Sequence, residues 1–437
     1  MAFTYINFPI MQHFEDNFWH YQNNKLFCEN IPVEEIILAE GSPAYIYSKA
    51  SIVKRCREFT DAFSEVKHKV FFAVKSNSNL NVIRIIYNMG CGLDVNSGGE
   101  FTRALRAGAH PSRMIMTGVG KTLDEIRMAV EHDMLMIKAE SKEEVEQINR
   151  IAGELGKIAP VALRVNPDIV VQTHPNISTA KSGVKFGMDP VPAMDLYLHR
   201  EEYPNIEFTG IDVHLGSQIL SFDPYFVTLK KLHTFVTKLE EHGLKLKHID
   251  LGGGFGSPYH GGDRFHIQEF GKQAAPLMND FGCDIFFEPG RFLTANCGAI
   301  VSKVLYTKES GSKNIVILDS SMTEILRPIL YQSYHEILPV TRDDSRERIP
   351  YDVVGPVCES SDYLAKGREL QKAQPDDLLA LMSAGAYASV MSSNYNVRRK
   401  PPEIIVDGNT WHVTRSRETY DYLLYDERII DDLTAIP

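Results

Sequence analysis

An α/β fold built as a (β/α)8 TIM-like barrel, followed by a C-terminal β-rich domain of sandwich- or barrel-like kind, is what this 437-residue sequence predicts. Three observations carry the prediction. Short apolar runs alternate with amphipathic helical stretches from about residue 45 to 295. The runs number eight, spread over the length a barrel needs. After about residue 296 the helical pattern gives way to short strands and turns.

The eight runs are Val70–Val74, Gly92–Val95, Met114–Thr117, Met134–Ile137, Val161–Val165, Phe208–His214, His248–Leu251 and Asp284–Phe287. Between them lie helical stretches such as Leu80–Asn88, Gly99–Ala107, Leu123–Glu131 and Lys142–Leu155. Buried strands alternating with helices mean parallel βα units, because a parallel connection needs a crossover. An open doubly wound sheet would show the same alternation; the count of eight favours the barrel. Downstream, Ile300–Tyr306, Asn314–Leu318, Tyr351–Val354, Leu378–Met382, Glu403–Val406 and Thr410–Thr414 predict the strands of the second domain. The expected division is 1–44 as an N-terminal segment contributing to the β-domain, 45–295 as the barrel and 296–437 as the β-domain.

Composition narrows the function classes. Fifty-seven acidic against 46 basic residues give a formal charge of −11, which argues against a nucleic-acid or anionic-membrane partner. Cys28, Cys56, Cys91, Cys283, Cys297 and Cys358 are scattered. They read as reduced thiols, with neither a disulfide framework nor a metal site. No apolar run is long enough to span a bilayer, and residues 1–20 lack the pattern of a signal peptide. The expectation is a soluble cytoplasmic protein.

Catalytic groups of a barrel lie where its strands end at their C-terminal side. The first strand delivers Lys75 within Phe72-Ala73-Val74-Lys75-Ser76-Asn77. That lysine either snorkels to solvent or attacks an aldehyde, its pKa lowered by apolar surroundings. The sixth delivers His214, followed by Gly216 and Ser217, which can approach an anion. The seventh delivers Gly252-Gly253-Gly254, whose exposed N–H groups make an anion cradle. The eighth delivers Glu288 and Arg291. Glu288 reads equally as the partner of a pyridine nitrogen or of Arg291, and Arg291 could instead neutralise a phosphate or carboxylate. Thr117-Gly118-Val119-Gly120-Lys121-Thr122 imitates a Walker A loop, but Ile115 stands where its first glycine belongs.

Taken together, FAVKSN (72–77), HLGSQ (214–218), GGGFG (252–256), EPGR (288–291), LRPILYQSYHEI (326–337), GPVCESSD (355–362) and SAGAYASVMSSNYN (383–396) resemble the fold type III decarboxylases that use pyridoxal 5'-phosphate (PLP), and most closely the diaminopimelate decarboxylases. The resemblance spans nearly the whole chain and is weakest over the first 40 residues. It implies a homodimer with active sites shared between subunits. Lys75 would bind the cofactor, His214 would stack on its ring, and Glu288 would hold the ring nitrogen. Gly254, Ser217, Gly290 and Arg291 would hold the phosphate. Arg291, Arg327 and Tyr331 would bind substrate, Tyr387 would touch phosphate and substrate, and Cys358 and Glu359 would come from the other subunit.

The sequence departs from the family pattern in the middle of His174–Gly187, and at Phe255 and Ala388. None of these is a proposed catalytic group, so the departures bear on substrate choice. The implied reaction is decarboxylation of meso-2,6-diaminopimelate to L-lysine, with Cys358 as the proton donor. Arg327 and Tyr331 suit the distal carboxylate and Glu359 the distal ammonium. The alternatives are a relative acting on D-lysine, D-ornithine, carboxynorspermidine or a carrier-bound glutamate, or a silent regulatory homologue. Lys75, Glu288 and Cys358 would have no use in the latter. A racemase would carry arginine in place of Glu288.

Overall fold

Strands flanked by helices on the outside and packed side chains on the inside are apolar on both faces, and the eight runs satisfy that condition. In the computed structural model, which describes residues 18–167, 169, 185–259, 264–430 and 433, the chain forms two units. One comprises Ser48–Gly298 with Gly385–Val390; the other comprises Trp19–Tyr47, Ala299–Ala384 and the chain from Met391.

Four strands precede the barrel: β1 (Trp19–Gln22), β2 (Lys25–Cys28), β3 (Ile31–Pro32) and β4 (Ala44–Ser48). The barrel strands are β5 (His68–Ala73), β6 (Gly92–Val95), β7 (Met114–Met116), β8 (Met136–Ala139), β9 (Ala159–Arg164), β10 (Ile206–Asp212), β11 (His248–Asp250) and β12 (Asp284–Phe287). All pairs are parallel, and β12 closes onto β5. The barrel is therefore closed, and the open-sheet alternative is excluded. Phe71, Ile115, Met136, Ala162 and Phe286 pack together inside it, with His248 stacked on Phe286 at 4.5 Å. At Gly210 a Cβ would lie 2.2 Å from the His248 ring, so only glycine fits.

Several strand bounds differ from the sequence expectation, and two of the differences bear on the site. The first strand stops at Ala73, and Val74–Ser76 form a single 3-10 turn. The fourth is Met136–Ala139 instead of Met134–Ile137. The Met134 and Leu135 amides close the preceding turn onto Ala129 and Met114, and the strand continues through a charged residue, Lys138. The Walker-like stretch is structural. Thr122 and Glu125 make a reciprocal cap on the helix Leu123–Glu131, and Lys121 pairs with Glu144 at 2.8 Å. Phe255 sits in an aromatic cluster, edge-on to Phe59 at 5.1 Å and stacked on Tyr225 at 5.0 Å. Residues 174–184 of the divergent loop lie outside the described residues.

The second unit holds a three-stranded sheet, β1-β2-β3, and a larger sheet. The latter contains β4, β13 (Gly298–Ser310), β14 (Lys313–Leu318), β15 (Ile337–Pro339), β16 (Arg348–Val354), β17 (Tyr363–Gln371), β18 (Leu378–Leu381), β19 (Glu403–Asp407) and β20 (Thr410–Arg415). Among the described residues no helix is long and apolar enough to cross a membrane.

Candidate active site

Side chains two residues apart on a strand share a face. Two positions beyond the apolar interior layer, the same faces carry a polar one. Met136 is followed by Lys138, His248 by Asp250, Phe286 by Glu288, Gly210 by Asp212, Gly92 by Asp94, Ala162 by Arg164 and Ile115 by Thr117. This layer is buried at the strand ends.

Lys138 is fully buried. Its ammonium meets Asp212 Oδ1 at 2.7 Å, Asp250 Oδ2 at 2.7 Å and Glu288 Oε1 at 2.5 Å. The ammonium hydrogen-bonds Asp212 and Glu288 and makes an ion pair with Asp250. The three carboxylates alone would suit a metal ion; Lys138 is the cation among them. Burial opposes its charge, but Asp212, Asp250 and Glu288 outweigh burial and keep it ionised. The carboxyls carry the cost. Burial first, then Asp250, Asp94 and Asp212, push Glu288 up against the pull of Lys138. Burial also raises Asp250, to about 6. Deleting one partner of a buried ion pair costs about 3–5 kcal/mol. Arg164 pairs with Glu140 at 3.0 Å and approaches Asp212 at 3.8 Å.

Lys75 projects from the turn after β5, half-buried, with Nζ 3.5 Å from Asp94 Oδ2. Burial pulls its ammonium down, yet Asp94, Tyr387 and Glu288 more than offset this and raise it to about 12. The expectation of a lowered pKa is thus corrected: the apolar strand lowers it, but the carboxylates dominate. The anticipated Glu288–Arg291 pair does not form. Glu288 goes to Lys138, while Arg291 donates to Ser217 Oγ at 2.9 Å and Tyr259 Oη at 2.7 Å. Arg291 also lies over the Tyr387 ring at 4.7 Å.

His214 is held against the glycine turn, its Nδ1 accepting from the Gly253 N–H at 3.2 Å. Burial, then the charges of Arg164, Lys75 and Lys138, keep the imidazole well below its usual range and therefore neutral. The glycines are required by close approach. A Cβ on Gly253 would lie 2.4 Å from the Glu288 carbonyl, and Gly254 has φ +97° with Gly216 O 2.8 Å from its would-be Cβ. Tyr387, also at positive φ, donates its N–H to Ser76 O at 2.8 Å. A Cβ on Gly290 would meet Ser76 at 2.9 Å.

Lys75, His214, Ser217, Gly254, Glu288, Gly290, Arg291 and Tyr387 thus all belong to the first unit. Arg327, Tyr331, Cys358 and Glu359 belong to the second. Arg327 is buried. It meets His335 Nε2 at 2.8 Å and Ser333 Oγ at 3.2 Å. His335 Nδ1 meets the Met382 carbonyl at 2.8 Å, so its proton sits there and Nε2 accepts from Arg327. Cys358 and Glu359 are exposed on this unit. Their neighbours Ser360 and Ser361 share a cleft of about 660 Å³ with Pro328, Ile329 and Ser333. Asp94, Lys138, Arg164 and His335 were not singled out from the sequence. A charge two positions beyond a core residue was the signal for the first three.

The site fits pyridoxal phosphate on its own observations. Both oxygens of buried Asp94 lack a hydrogen-bond partner beside Lys75, in the turn after β5. Glycine backbone, Ser217 and Arg291 lie together as groups that could hold an anion, and the neutral imidazole of His214 offers an uncharged ring.

Comparison with known proteins agrees. Residues 49–295 match the family model described as pyridoxal-dependent decarboxylase, pyridoxal binding domain. A diaminopimelate decarboxylase of Haemophilus influenzae is 42% identical over 93% of this chain and 98% of its own. The Helicobacter pylori diaminopimelate decarboxylase complexed with L-lysine superposes with TM-score 0.86 at 34% identity, covering 90% of this chain and 98% of that one. That from M. jannaschii with L-lysine gives 0.91 at 30% identity over 96% and 99%. With a strand-end lysine, a glycine cradle and this likeness along nearly its full length, the chain belongs to the pyridoxal-dependent decarboxylases, and among them to the diaminopimelate decarboxylase family.

Proposed function

We propose that this protein decarboxylates meso-2,6-diaminopimelate to L-lysine and CO2. The observation that carries the reading is the barrel-mouth set of Lys75, Asp94, His214 and Glu288 beside the Gly252–Gly254 turn. A relative named diaminopimelate decarboxylase is 42% identical over almost the whole length.

Bound pyridoxal phosphate supplies a ring that takes up the electron pair left when CO2 departs from the α-carbon. The chain's own residues set the conditions. Lys75 is the attachment point, kept ionised by Asp94 until the cofactor arrives. Ser217, Arg291 and the Gly254 and Gly290 backbone hold the phosphate end. His214, neutral and fixed by Gly253, packs against the ring without competing for its charge. Glu288 holds the ring nitrogen. Tyr387 closes the phosphate side over Arg291.

Arg327, locked by His335 and Ser333, presents a planar fork to the distal carboxylate of the substrate, with Tyr331 beside it. Glu359 takes the distal ammonium, and Cys358 returns a proton to the carbon that lost CO2. Both are exposed on their own unit, which supports a homodimer in which they serve the partner's site. The six cysteines form no disulfide among the described residues, which supports a cytoplasmic enzyme.

A panel of amino acids assayed for CO2 release tests the reading. Diaminopimelate should exceed D-lysine, D-ornithine and carboxynorspermidine in kcat/KM by at least roughly a hundredfold, the size of a lost charge-assisted contact. A preference for any of the others would overturn the substrate assignment.

A further inference from the structure

A lysine with no exposed atom, inside a barrel, needs a reason beyond packing, because an apolar side chain of similar volume avoids the cost of burying charge. Lys138 lies one layer above Met136 and contacts the carboxylates that end β10, β11 and β12. Only one of these, Glu288, belongs to the proposed cofactor site. The contact is directional. Lys138 Nζ and Thr117 Oγ1 both reach Glu288 through Oε1, the latter at 3.4 Å, and Oε2 accepts from neither. A carboxylate gripped by one oxygen is fixed in rotation and keeps the other for a ligand.

We propose that Lys138 is a positioning residue for the cofactor ring: it holds Glu288 by Oε1, with Oε2 left to receive the ring nitrogen. This rests on the reading of Glu288 given above.

The electrostatic surroundings require such a counter-ion. Asp94 on β6, Asp212 on β10 and Asp250 on β11 all bear on Glu288 and favour its protonation. Lys75 and Arg164 are the other cations of the layer. Lys75 is engaged with Asp94, and Arg164 is shared between Glu140 and Asp212. His214 is neutral. Lys138 is therefore the one cation in contact with Glu288 among the described residues. Without it, Glu288 would sit among three carboxylates that favour its protonation, with no cation in contact to oppose them. It would also lose the contact that fixes its rotation.

The test uses the holoenzyme and the visible absorption band of bound pyridoxal phosphate, followed against pH. In Lys138→Met the midpoint of the band's titration should rise by at least one pH unit over wild type, because the carboxylate group gains protons it formerly excluded. In Asp250→Asn, which removes one negative charge, it should fall. The double variant Lys138→Met/Asp250→Asn should titrate near wild type and at least one unit above Asp250→Asn. That second comparison still reports on Lys138 if Lys138→Met alone does not fold.

A lysine that merely fills space or braces the barrel would change melting temperature and cofactor content but not the midpoint. Midpoints of Lys138→Met and wild type within about 0.3 unit, or the same coincidence between the double variant and Asp250→Asn, would overturn the proposal. A wild-type protein with no such band fails differently: it contradicts the cofactor reading itself.

Discussion

Lys75 Nζ stands 3.5 Å from a carboxylate, Asp94, whose two oxygens have no hydrogen-bond partner. The pair holds the lysine ionised, with its ammonium raised to about 12. An amine must lose its proton before it attacks an aldehyde. In cofactor-free protein the rate of recombination with pyridoxal phosphate should therefore climb about tenfold per pH unit from pH 8 to 10, without levelling. Asp94→Asn removes the leading stabiliser of the charge, so its profile should level at a lower pH. Borohydride should fix the cofactor on Lys75 in both proteins. Fixation on Lys121 or Lys138, or a pH-independent rate, would refute the assignment.

Gly254 offers a separate handle on the anion cradle. Its φ of +97° and the Gly216 carbonyl 2.8 Å from its would-be Cβ predict that Gly254→Ala costs ~1–3 kcal/mol in strain. Cofactor affinity, measured by equilibrium dialysis, should weaken at least about fivefold, the lower end of that strain. Gly282→Ala is the control. It also has positive φ, but nothing lies within 4 Å of its Cβ position, so its cofactor affinity should be unchanged. Equal losses in the two variants would show that the collision at Gly254 is not what matters.

How much of this was visible beforehand depended on what each residue's neighbours are. Lys75, His214 and Glu288 could be read because each ends an apolar run, where a charge or an imidazole is conspicuous. Lys138 could not, since a charge is taken as the end of a strand, and the fourth strand was accordingly placed two residues early. Only the arrival of three carboxylates from β10, β11 and β12 makes a lysine tolerable there. A similar rule hid β17. Its sequence Tyr363–Gln371 carries Lys366, Arg368 and Glu369, exposed or half-exposed, around buried Leu364 and Leu370. The barrel strands were legible because both their faces are apolar.

Shared active sites can be tested by complementation. Lys75→Ala and Cys358→Ala proteins should each be inactive alone. Mixed under conditions of subunit exchange, they should recover up to roughly a quarter of wild-type activity per total site, since random pairing gives half mixed dimers and each holds one intact site. No recovery despite exchange shown by mass would mean that each chain builds its own site.

Substrate choice turns on Arg327. Replacing it with Met keeps bulk and removes the fork, which should cost ~2–4 kcal/mol in kcat/KM for diaminopimelate, roughly thirty- to a thousandfold. A side activity on D-lysine, lacking the distal carboxylate, should fall far less. His335→Phe should imitate the effect more weakly, because it frees the guanidinium that His335 orients at 2.8 Å. Equal losses on both substrates in folded protein would show that Arg327 does not read the distal carboxylate.

The return of Gly385–Val390 to the barrel unit has a consequence for how the protein is made. Asn77 donates to the Gly385 carbonyl across 308 positions of sequence, and Tyr387 reaches Ser76 over a similar span. On a ribosome the eight strands emerge long before this segment does. The nascent barrel must wait, with the segment that carries Tyr387 missing, until Gly385–Val390 has been synthesised. With Tyr387 in the phosphate-binding role proposed above, a message truncated before Gly385 should yield a barrel that cannot retain its phosphate ligand.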